Sequence, residues 1–226
     1  MRIRSVGNVI KELHYLKDNF QFDYVDFQDD TFTLFPKWLS EFCQVYYYEI
    51  NIPFACTARV ENCSDEVLYN LKSAGCKMIL LGLESGDEEY RRGVLNRKMT
   101  NKQVVDACKK IKSYGIMLWT FNMVGMPYET RKQILKTIKL NWQIQPDFAS
   151  TTVYYPFRGT VMGEVCYDEK LVDFRKKARV NSYADNTVLK RSNLELKIAK
   201  YLNSLSAYRS KFFRNEVITK LKRLFR

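Results

Sequence analysis

The sequence predicts an α/β fold in which one parallel sheet curves into a partial (βα) barrel. The first observation is an alternation of five apolar, strand-like segments with amphipathic segments of helical periodicity. The second is that no GxGxxG or GxxxxGKS/T loop is present, which argues against a doubly wound nucleotide-binding fold. The third is that each strand-like segment turns polar at its carboxyl end, where the loops of a barrel build its site.

The predicted strands are short apolar runs bounded by turn residues. The middle run, CKMILLGLE, has the unbroken apolar character of a strand buried on both faces. Connections of about two to six residues favour right-handed crossovers between parallel strands. We expect strands at residues 23–28, 53–58, 77–83, 116–123 and 147–155.

The segments around these strands have helical periodicity and recognisable ends. Ser64 is a candidate N-cap and Gly75 a stop for one helix, and Thr100 and Gly115 bracket another. Pro36 suits the first turn of a third helix. We expect helices at residues 8–20, 36–50, 64–75, 100–115 and 130–145.

The formal net charge of +12 is concentrated at the C-terminus. Residues 1–169 contain 21 basic and 21 acidic side chains, whereas residues 170–226 contain 16 basic and 4 acidic ones. This asymmetry predicts a neutral barrel at residues 1–163 and a basic, mostly helical extension at residues 164–226. Three interpretations of the extension stay open: a helix docked on the barrel, an interfacial helix on an anionic membrane surface, and a nucleic-acid-binding segment.

Cysteine usage and the N-terminus indicate a cytoplasmic protein. The six cysteines form no CxxC pair and no zinc-ribbon spacing, so we interpret them as buried free thiols. The N-terminal segment is amphipathic and has no signal-peptide pattern, and no run reaches the roughly 18 apolar residues of a membrane span. Any membrane association would then be peripheral, through the C-terminal extension.

Polar residues stand at the carboxyl end of all five predicted strands. They are either ordinary turn residues or members of one site at the mouth of the barrel, and their recurrence after five strands favours a site. Gly82 and Gly86 beside them would let another group approach the backbone closely. The strand-end residues are Asp29 and Asp30, Arg59, Glu84 and Ser85, Asn122, and Tyr155.

An ordered set of motifs resembles the radical S-adenosylmethionine (SAM) superfamily, and most closely its branch that often carries an upstream cobalamin-binding domain. A strand ending in Arg59 is followed by a helix ending in AG, then by LGLESG, by a helix start at KMT, and by a strand ending in GMPYET. Each motif alone is weak, but the ordered set is quite specific. The resemblance covers about residues 3–165.

The resemblance implies a partial barrel of the radical SAM type that binds SAM and a [4Fe-4S] cluster, with cobalamin in an upstream domain. In such enzymes, reductive cleavage of SAM gives a 5′-deoxyadenosyl radical for hydrogen abstraction or methyl transfer. A small-molecule substrate is also implied, although the motifs do not indicate which one. No catalytic residue of this chain follows from the resemblance.

Five strand-end residues are implied to lie near the methionine and ribose parts of SAM. Asp29 and Asp30 match the family's strand end beside the methionine part, and Arg59 could pair with the SAM carboxylate as a fork. Glu84 and Ser85 match the motif near the ribose and the amino group, for which a carboxylate is a suitable acceptor.

Five further positions are implied to lie near the adenine. Asn122, Val124 and Gly125 match the strand-end motif that passes close to the adenine. Tyr155 and Pro156 match the segment that flanks the adenine or the substrate.

The sequence departs from the family at the cluster, because it has no CxxxCxxC motif and no cysteine before Cys43. Met1 falls where the family's first helix begins, so we expect a fragment that lacks the first strand and depends on an N-terminal region or a complementary chain. The strand at 23–28 would then be an open edge that favours aggregation. The alternatives are a non-catalytic SAM-binding remnant and a basic RNA- or membrane-associated module.

Overall fold

The computed structural model describes residues 3–175, 187–190 and 197, and contains one five-stranded parallel sheet in the order β1-β2-β3-β4-β5. The strands are β1 (Val25–Phe27), β2 (Phe54–Ala58), β3 (Cys76–Glu84), β4 (Met117–Val124) and β5 (Phe148–Val153). The α-helices of the described part are α1 (Val6–Asn19), α2 (Pro36–Glu49), α3 (Asp65–Ser73), α4 (Glu88–Gly93), α5 (Asn101–Ser113), α6 (Arg131–Ile144) and α7 (Val161–Asp168).

The predicted parallel sheet is confirmed for all five strands. β1 pairs with β2 in a register that sets Val25 opposite Phe54, and β2 pairs with β3 so that Ala55 faces Met78. The register shifts between Phe54 and Ala55, where an irregularity interrupts the ladder. β1 is shorter than predicted, because only three of its residues pair with β2.

The chain divides into two compact units, and the first comprises Met1–Gly82 and Lys102–Trp119. Aromatic rings fill its core: Trp38 stacks on Phe42 at 5.2 Å, and Phe27 meets Phe42 edge-on at 5.4 Å. Phe42 is fully buried, and burial of such a side chain stabilises a fold by roughly 1.5–3 kcal/mol.

The ends of α3 in the first unit follow the sequence signals. The Ser64 hydroxyl accepts a hydrogen bond from the Val67 N–H at 3.3 Å, which confirms the predicted N-cap. The chain then leaves the helix through Gly75, whose φ of +95° a residue with a side chain rarely adopts. Gly115, with a φ of +66°, ends α5 in the same way.

The second unit comprises Leu83–Asn101 and Thr120–Arg226, of which the structure describes the residues up to 175, 187–190 and 197. Its helix α6 begins with a capping box formed by Thr130 and Gln133. Asn141 of α6 accepts a hydrogen bond from the Thr120 hydroxyl at 2.8 Å and donates to the side-chain oxygen of Asn122 at 2.8 Å. These buried polar groups satisfy one another and fix the position of the helix on the strand.

Of two further helices in the second unit, α4 lies where the sequence predicts no helix, and α7 overlaps the start of the extension that is predicted to be mostly helical. α4 has only six residues, too few to show a helical period. α7 begins at Thr160, whose hydroxyl accepts a hydrogen bond from the Gly163 N–H at 3.1 Å. The predicted domain boundary between residues 163 and 164 falls inside α7 and stays a prediction.

A short antiparallel bridge joins Val172 to Leu189 after α7. Together with Cys166 and Val188, these residues bury a small apolar cluster. The helices predicted for the rest of the extension lie outside the described residues. Among the residues that are described, none of the helices combines the length and apolar character needed to cross a membrane.

Candidate functional site

The carboxyl end of β3 is a tight turn that leads into α4. Glu84 has a φ of +61°, a left-handed conformation that is uncommon for a residue with a side chain. Ser85 is fully buried, and its N–H donates to the Leu83 carbonyl at 2.8 Å. Asp87 then caps α4 by accepting a hydrogen bond from the Tyr90 N–H at 2.8 Å.

A fully buried arginine holds this turn together. The Arg91 guanidinium donates to the Ser85 carbonyl at 2.6 Å and to the Met99 carbonyl at 3.0 Å. Burial lowers the pKa of Arg91, while the charges of Glu88 and Asp87 oppose that shift. Arg91 therefore connects the end of β3 to the segment that precedes α5. Its contact with Ser85 fixes the backbone next to Glu84.

Gly86 is required by helix packing within the second unit. A Cβ atom at Gly86 would lie 2.3 Å from the Lys136 carbonyl oxygen of α6. Its N–H donates to the Thr137 hydroxyl at 2.8 Å, and its carbonyl accepts from Asn101 at 3.0 Å. The group that approaches this glycine is therefore the backbone of α6.

Glu84 forms an ion pair with Arg97 at the surface of the turn. The Arg97 Nη2 to Glu84 Oε1 distance is 3.4 Å, and the two side chains are 32% and 22% exposed. Burial raises the pKa of the Glu84 carboxyl, and the neighbouring Arg97 charge opposes this shift. The turn thus presents one carboxylate and one guanidinium side by side.

Asp87 fastens the same turn to α6. Its carboxylate accepts a hydrogen bond from Lys136 Nζ at 2.6 Å. Burial alone would raise the pKa of Asp87, but the hydrogen bonds from Lys136 and from the Tyr90 N–H outweigh it and lower the pKa. The Tyr90 hydroxyl in turn donates to the Pro127 carbonyl at 2.6 Å, which ties α4 to the loop after β4.

The carboxyl end of β4 is closed by a buried carboxylate. Glu129 is only 2% exposed and accepts hydrogen bonds from the N–H groups of Gly125 at 2.7 Å and Met126 at 3.4 Å. Gly125 has a φ of +76°, so a glycine is favoured there. The loop after β4 is therefore rigid and holds its backbone beside the turn after β3, its neighbour in the sheet.

The side chain of Asn122 is committed within the protein. Its amide donates to the Ser150 carbonyl at 3.2 Å, and its oxygen accepts from Asn141 at 2.8 Å. Val124 is buried, and its carbonyl accepts the Tyr154 N–H at 2.9 Å, which continues the pairing of β4 and β5. Of these positions, only the backbone at the end of β4 can contribute to a ligand site.

Tyr155 and Pro156 follow the end of β5. The ring of Tyr155 lies 4.9 Å from that of Phe157, and the Pro156 carbonyl accepts the Tyr167 hydroxyl at 3.4 Å. Tyr155 is half-buried and packs against the small cluster around Cys166. Both residues belong to the second unit, as do the ends of β3 and β4.

The remaining candidates, Asp29, Asp30 and Arg59, are exposed and belong to the first unit. The Asp29 carbonyl accepts the Thr57 hydroxyl at 2.5 Å, which links the ends of β1 and β2. Arg59 Nη2 lies 3.5 Å from Glu61, so its nearest carboxylate is two residues away in the sequence. The side chains of Asp29 and Asp30 are placed at a strand end, as predicted, and their role stays a prediction.

Three side chains of the candidate site in the second unit do not follow from the sequence: Arg91, Arg97 and Glu129. Arg91 and Arg97 lie in the segment EEYRRGVLNRKM, where four basic residues look like an ordinary solvated stretch. Glu129 lies in the quoted GMPYET motif, but nothing in the motif says that the carboxylate turns back to Gly125. A buried position for one of two adjacent arginines has no sequence signal of its own.

The cysteines do not fit a [4Fe-4S] cluster. All six are buried free thiols. Burial raises the pKa of Cys43, Cys63 and Cys108 to about 12, which disfavours the thiolate that binds iron. Among the described residues, no group of three or more His, Cys, Asp or Glu side chains could hold a metal ion. The interpretation of the cysteines as buried thiols is confirmed.

The parallel βα order and the polar strand ends define an enzyme-type partial (βα) barrel. The model of the radical SAM superfamily matches residues 1–140. The chain therefore belongs to the radical SAM superfamily, whose members are enzymes that use SAM and a [4Fe-4S] cluster.

Two curated relatives match most of this chain. An uncharacterized methyltransferase of Pyrococcus horikoshii is 28% identical over 172 residues, which cover 76% of this chain and 37% of the relative. An anaerobic magnesium-protoporphyrin IX monomethyl ester cyclase of Cereibacter sphaeroides is 23% identical over 181 residues, which cover 77% of this chain and 29% of the relative. The chain thus spans 37% of the length of the first relative and 29% of the length of the second.

Solved structures support the fold. The radical SAM methyltransferase TsrM of Kitasatospora setae, with cobalamin and a [4Fe-4S] cluster bound, superposes with a TM-score of 0.65 at 15% identity, over 74% of this chain and 32% of TsrM. A second TsrM structure, with tryptophan substrate and a SAM analogue bound, gives a TM-score of 0.65 at 17% identity, over 75% and 34%. The likeness confirms the predicted partial barrel of the radical SAM type.

Proposed function

We propose that this chain forms the SAM-binding cradle of a radical SAM enzyme, with the amino-acid end of SAM at Glu84 and Arg97. The observation that carries the proposal is this ion pair, two opposite charges 3.4 Å apart on the turn after β3. The methionine end of SAM bears an ammonium and a carboxylate, so it is complementary to a carboxylate beside a guanidinium. Both side chains are partly exposed, so a ligand can reach them.

Glu84 is suited to meet a cation. An ionised carboxylate is poorly solvated at this position, which is why burial raises its pKa. A bound ammonium would offset that penalty. Its binding would not require the turn to reorganise, because Arg91 and Gly86 already fix the backbone. Ser85, which is buried, serves this turn through its backbone contacts.

The backbone after β4 supplies the second part of the proposed cradle. Val124 and Gly125 would border the adenine through main-chain atoms held in place by Glu129. Asn122 would act only by holding the strand end, since its side chain is bound to Asn141 and to the Ser150 carbonyl. Tyr155 and Pro156 would flank the adenine or the substrate.

The three candidates of the first unit are proposed separately, from the resemblance of their positions to the family's strand ends. Asp29 and Asp30 would accept hydrogen bonds from the methionine part of SAM. Arg59 would offer its guanidinium to a carboxylate, in competition with its ion pair to Glu61.

The reaction that we propose is methyl transfer or hydrogen abstraction on a small molecule. When bound, SAM supplies either an electrophilic methyl group or, on one-electron reduction, a carbon radical. The methyltransferase relative from Pyrococcus horikoshii and the fold likeness to TsrM support methyl transfer. By the same analogy, cobalamin is a further cofactor of the complete enzyme. Tryptophan in the TsrM structure and a magnesium-protoporphyrin ester in the cyclase name support a small-molecule substrate.

A second candidate function is SAM binding without a cluster on this chain. The placement of the cysteines favours it, since no three of the buried thiols form a group that could hold a metal ion among the described residues. In that case the iron ligands of the enzyme would come from an N-terminal region or from a complementary chain.

Calorimetric titration of the purified chain with SAM tests the cradle. We expect Glu84→Gln and Arg97→Met each to weaken binding by about 1–3 kcal/mol, the usual cost of losing a hydrogen bond to a charged group. Asp65→Asn is the matched control, because it breaks an exposed ion pair of 2.9 Å with Lys110 in the first unit. Equal affinities for the parent chain, Glu84→Gln and Arg97→Met would reject the proposed cradle.

The cellular placement and the role of the extension also remain proposals. We propose a cytoplasmic protein whose basic residues after position 169 contact either the rest of the chain or an anionic membrane surface. Co-sedimentation with vesicles of neutral and of anionic lipid, at low and at high salt, separates these two roles. Binding to RNA, which is also salt-sensitive, is the third outcome to be compared in the same series.

A further inference from the structure

We propose that the segment after β5 is a stacking surface for a planar, conjugated ring of the substrate, built on Phe157 and Arg158. This inference rests on the proposed function and names the substrate class of that same site. The two residues directly follow Tyr155 and Pro156, at the carboxyl end of β5. The surface is joined to the proposed cradle, because the Tyr154 N–H donates to the Val124 carbonyl at 2.9 Å.

The loop that carries these two residues is held rigidly by α7. A Cβ atom at Gly163 would lie 1.9 Å from the Phe157 carbonyl oxygen, so the helix and the loop pack too closely for a side chain at position 163. The Thr160 hydroxyl donates to that same carbonyl at 2.7 Å. The Glu164 carboxylate accepts the Gly159 N–H at 2.7 Å. Because the loop is already ordered, a ligand that binds to its side chains would cost little conformational entropy.

Flat groups are presented on this loop in two adjacent pairs. The ring of Phe157 is 4.9 Å from the ring of Tyr155, and Phe157 remains 45% exposed. The guanidinium of Arg158 lies 3.4 Å from the centroid of the Tyr167 ring, and the Arg158 side chain is 62% exposed. Tyr155 and Tyr167 both pack against the buried cluster of Cys166, Val172, Val188 and Leu189, which fixes them.

Charge on this surface favours a ring over an anion. The Arg158 guanidinium is already paired with the Glu164 carboxylate at 2.8 Å, so its charge is neutralised while its flat face stays available. A phosphate or a free carboxylate would have to displace Glu164. A neutral π system stacks on guanidinium and phenyl faces without doing so.

Titration of the full chain with tryptophan and with protoporphyrin IX, with leucine as the non-planar control ligand, tests the surface. We expect both planar probes to bind and leucine not to bind, and Phe157→Leu to weaken the planar probes by at least about 5-fold. Phe157→Tyr keeps a ring and should bind them like the parent chain. Phe20→Ala, which removes a phenyl ring that is 61% exposed at the end of α1, should have no effect.

Several outcomes would overturn the proposal. These are no binding of either planar probe, equal binding of leucine, and equal loss in Phe157→Leu and Phe20→Ala. Circular dichroism and SAM titration of Phe157→Leu show whether the chain is folded; should it not fold, Arg158→Met takes its place with the same expected loss. Failure of the SAM cradle is distinguishable, because Glu84→Gln would then leave SAM binding unchanged while the planar probes still depended on Phe157.

Discussion

At the scale of the residue, Glu84 combines three unfavourable features in one position. Its backbone is left-handed, its carboxyl is largely removed from water, and its charge is opposed by a single guanidinium. A left-handed conformation alone costs a residue with a side chain roughly 1–2 kcal/mol. Such strain persists where the surrounding structure over-determines it, and it is concentrated at functional sites, which supports a role for Glu84 beyond turn formation.

The burial of Glu84 predicts a pH-dependent gain in stability for Glu84→Gln. The folded pKa lies above the ordinary value of 4.5, so the stability due to the protonated form is complete below that value and is lost as the pH rises through the raised pKa. Glutamine cannot ionise, so Glu84→Gln should lose no stability as the pH rises through the raised pKa of Glu84. At higher pH the variant should be at least as stable as the parent chain. Urea denaturation at about pH 4 and about pH 8 measures this.

The same variant should bind SAM more weakly, so stability and binding change in opposite directions. A uniform loss of stability at both pH values would instead make Glu84 a structural residue, and the proposed role in binding would have to be abandoned.

Arg91 shows how little the sequence reveals about a buried charge. It stands beside Arg92 in the sequence, yet Arg91 is fully buried and Arg92 is exposed. The difference comes from tertiary structure, which offers two main-chain carbonyls, at 2.6 Å and 3.0 Å, only to Arg91. The two arginines are adjacent and share the same local sequence pattern, so the sequence alone does not indicate which of them is buried.

Arg91→Met should therefore destabilise the second unit strongly, and Arg92→Met should not. Removal of the guanidinium leaves the Ser85 and Met99 carbonyls buried without a donor, at about 1–3 kcal/mol for each. Chemical denaturation of the two variants beside the parent chain is the measurement. Similar midpoints for Arg91→Met and Arg92→Met would show that the buried hydrogen bonds contribute nothing net.

At the scale of the element, the decisive contact is that of the turn after β3 with helix α6. Gly86 passes so close to the backbone of Lys136 and Thr137 that no side chain fits between them. Asp87 and Lys136 then lock the same two elements with an ion pair of 2.6 Å. The position of Glu84 is thus set by a helix that lies about fifty residues further along the chain, a dependence typical of βα folds.

Gly86→Ala tests this contact directly. The added methyl group would lie 2.3 Å from a main-chain oxygen, so strand and helix must move apart, and overpacking of this kind typically costs about 1–3 kcal/mol. Gly93→Ala is the control, because nothing lies within 4 Å of a Cβ atom there and alanine favours a helix over glycine. Thermal unfolding should place Gly86→Ala below the parent chain and Gly93→Ala at or above it; the reverse order would refute the packing argument.

The elements differ in how far their sequence determines them. β3, α3 and α6 carry their signals locally: an unbroken apolar run, the Ser64 cap, and the Thr130 capping box with Gln133. α4 has only six residues, and its Asp87 cap follows a strained turn that no local pattern indicates. The candidate site divides in the same way, since strand-end residues were predictable from position, whereas Arg97 and Glu129 are defined by contacts across the fold.

The edge of the sheet at β1 is better protected than the sequence suggests. β1 pairs over only three residues, and its central residue, Asp26, is exposed and charged. Short strands and charged side chains are two common ways in which proteins block edge-to-edge pairing. The predicted tendency to aggregate should therefore be enhanced by Asp26→Val, and light scattering at increasing concentration compares this variant with the parent chain.

At the scale of the whole molecule, the distribution of charge bears on SAM binding, and the placement of the thiols bears on cluster binding. The excess of positive charge lies after residue 169, so the barrel segment is electrically balanced and its site can favour a zwitterion. The six thiols lie in the described part and behave as core residues. Because no three of these thiols are placed to hold a metal ion in the described part of the chain, we propose that the iron ligands of the complete enzyme come from another segment.

This chain alone should therefore take up less than about one iron per molecule on anaerobic reconstitution with iron and sulfide, because three thiolates must converge on one cubane. Iron analysis and the visible absorption of the desalted protein are the measurements. A fusion that adds an N-terminal strand and a CxxxCxxC loop is the matched comparison and should bind close to a full cluster, since the remaining fold is already in place. Should the chain alone hold a stable cluster, individual Cys→Ser variants would identify the ligands, and the six buried cysteines would have to rearrange to supply them.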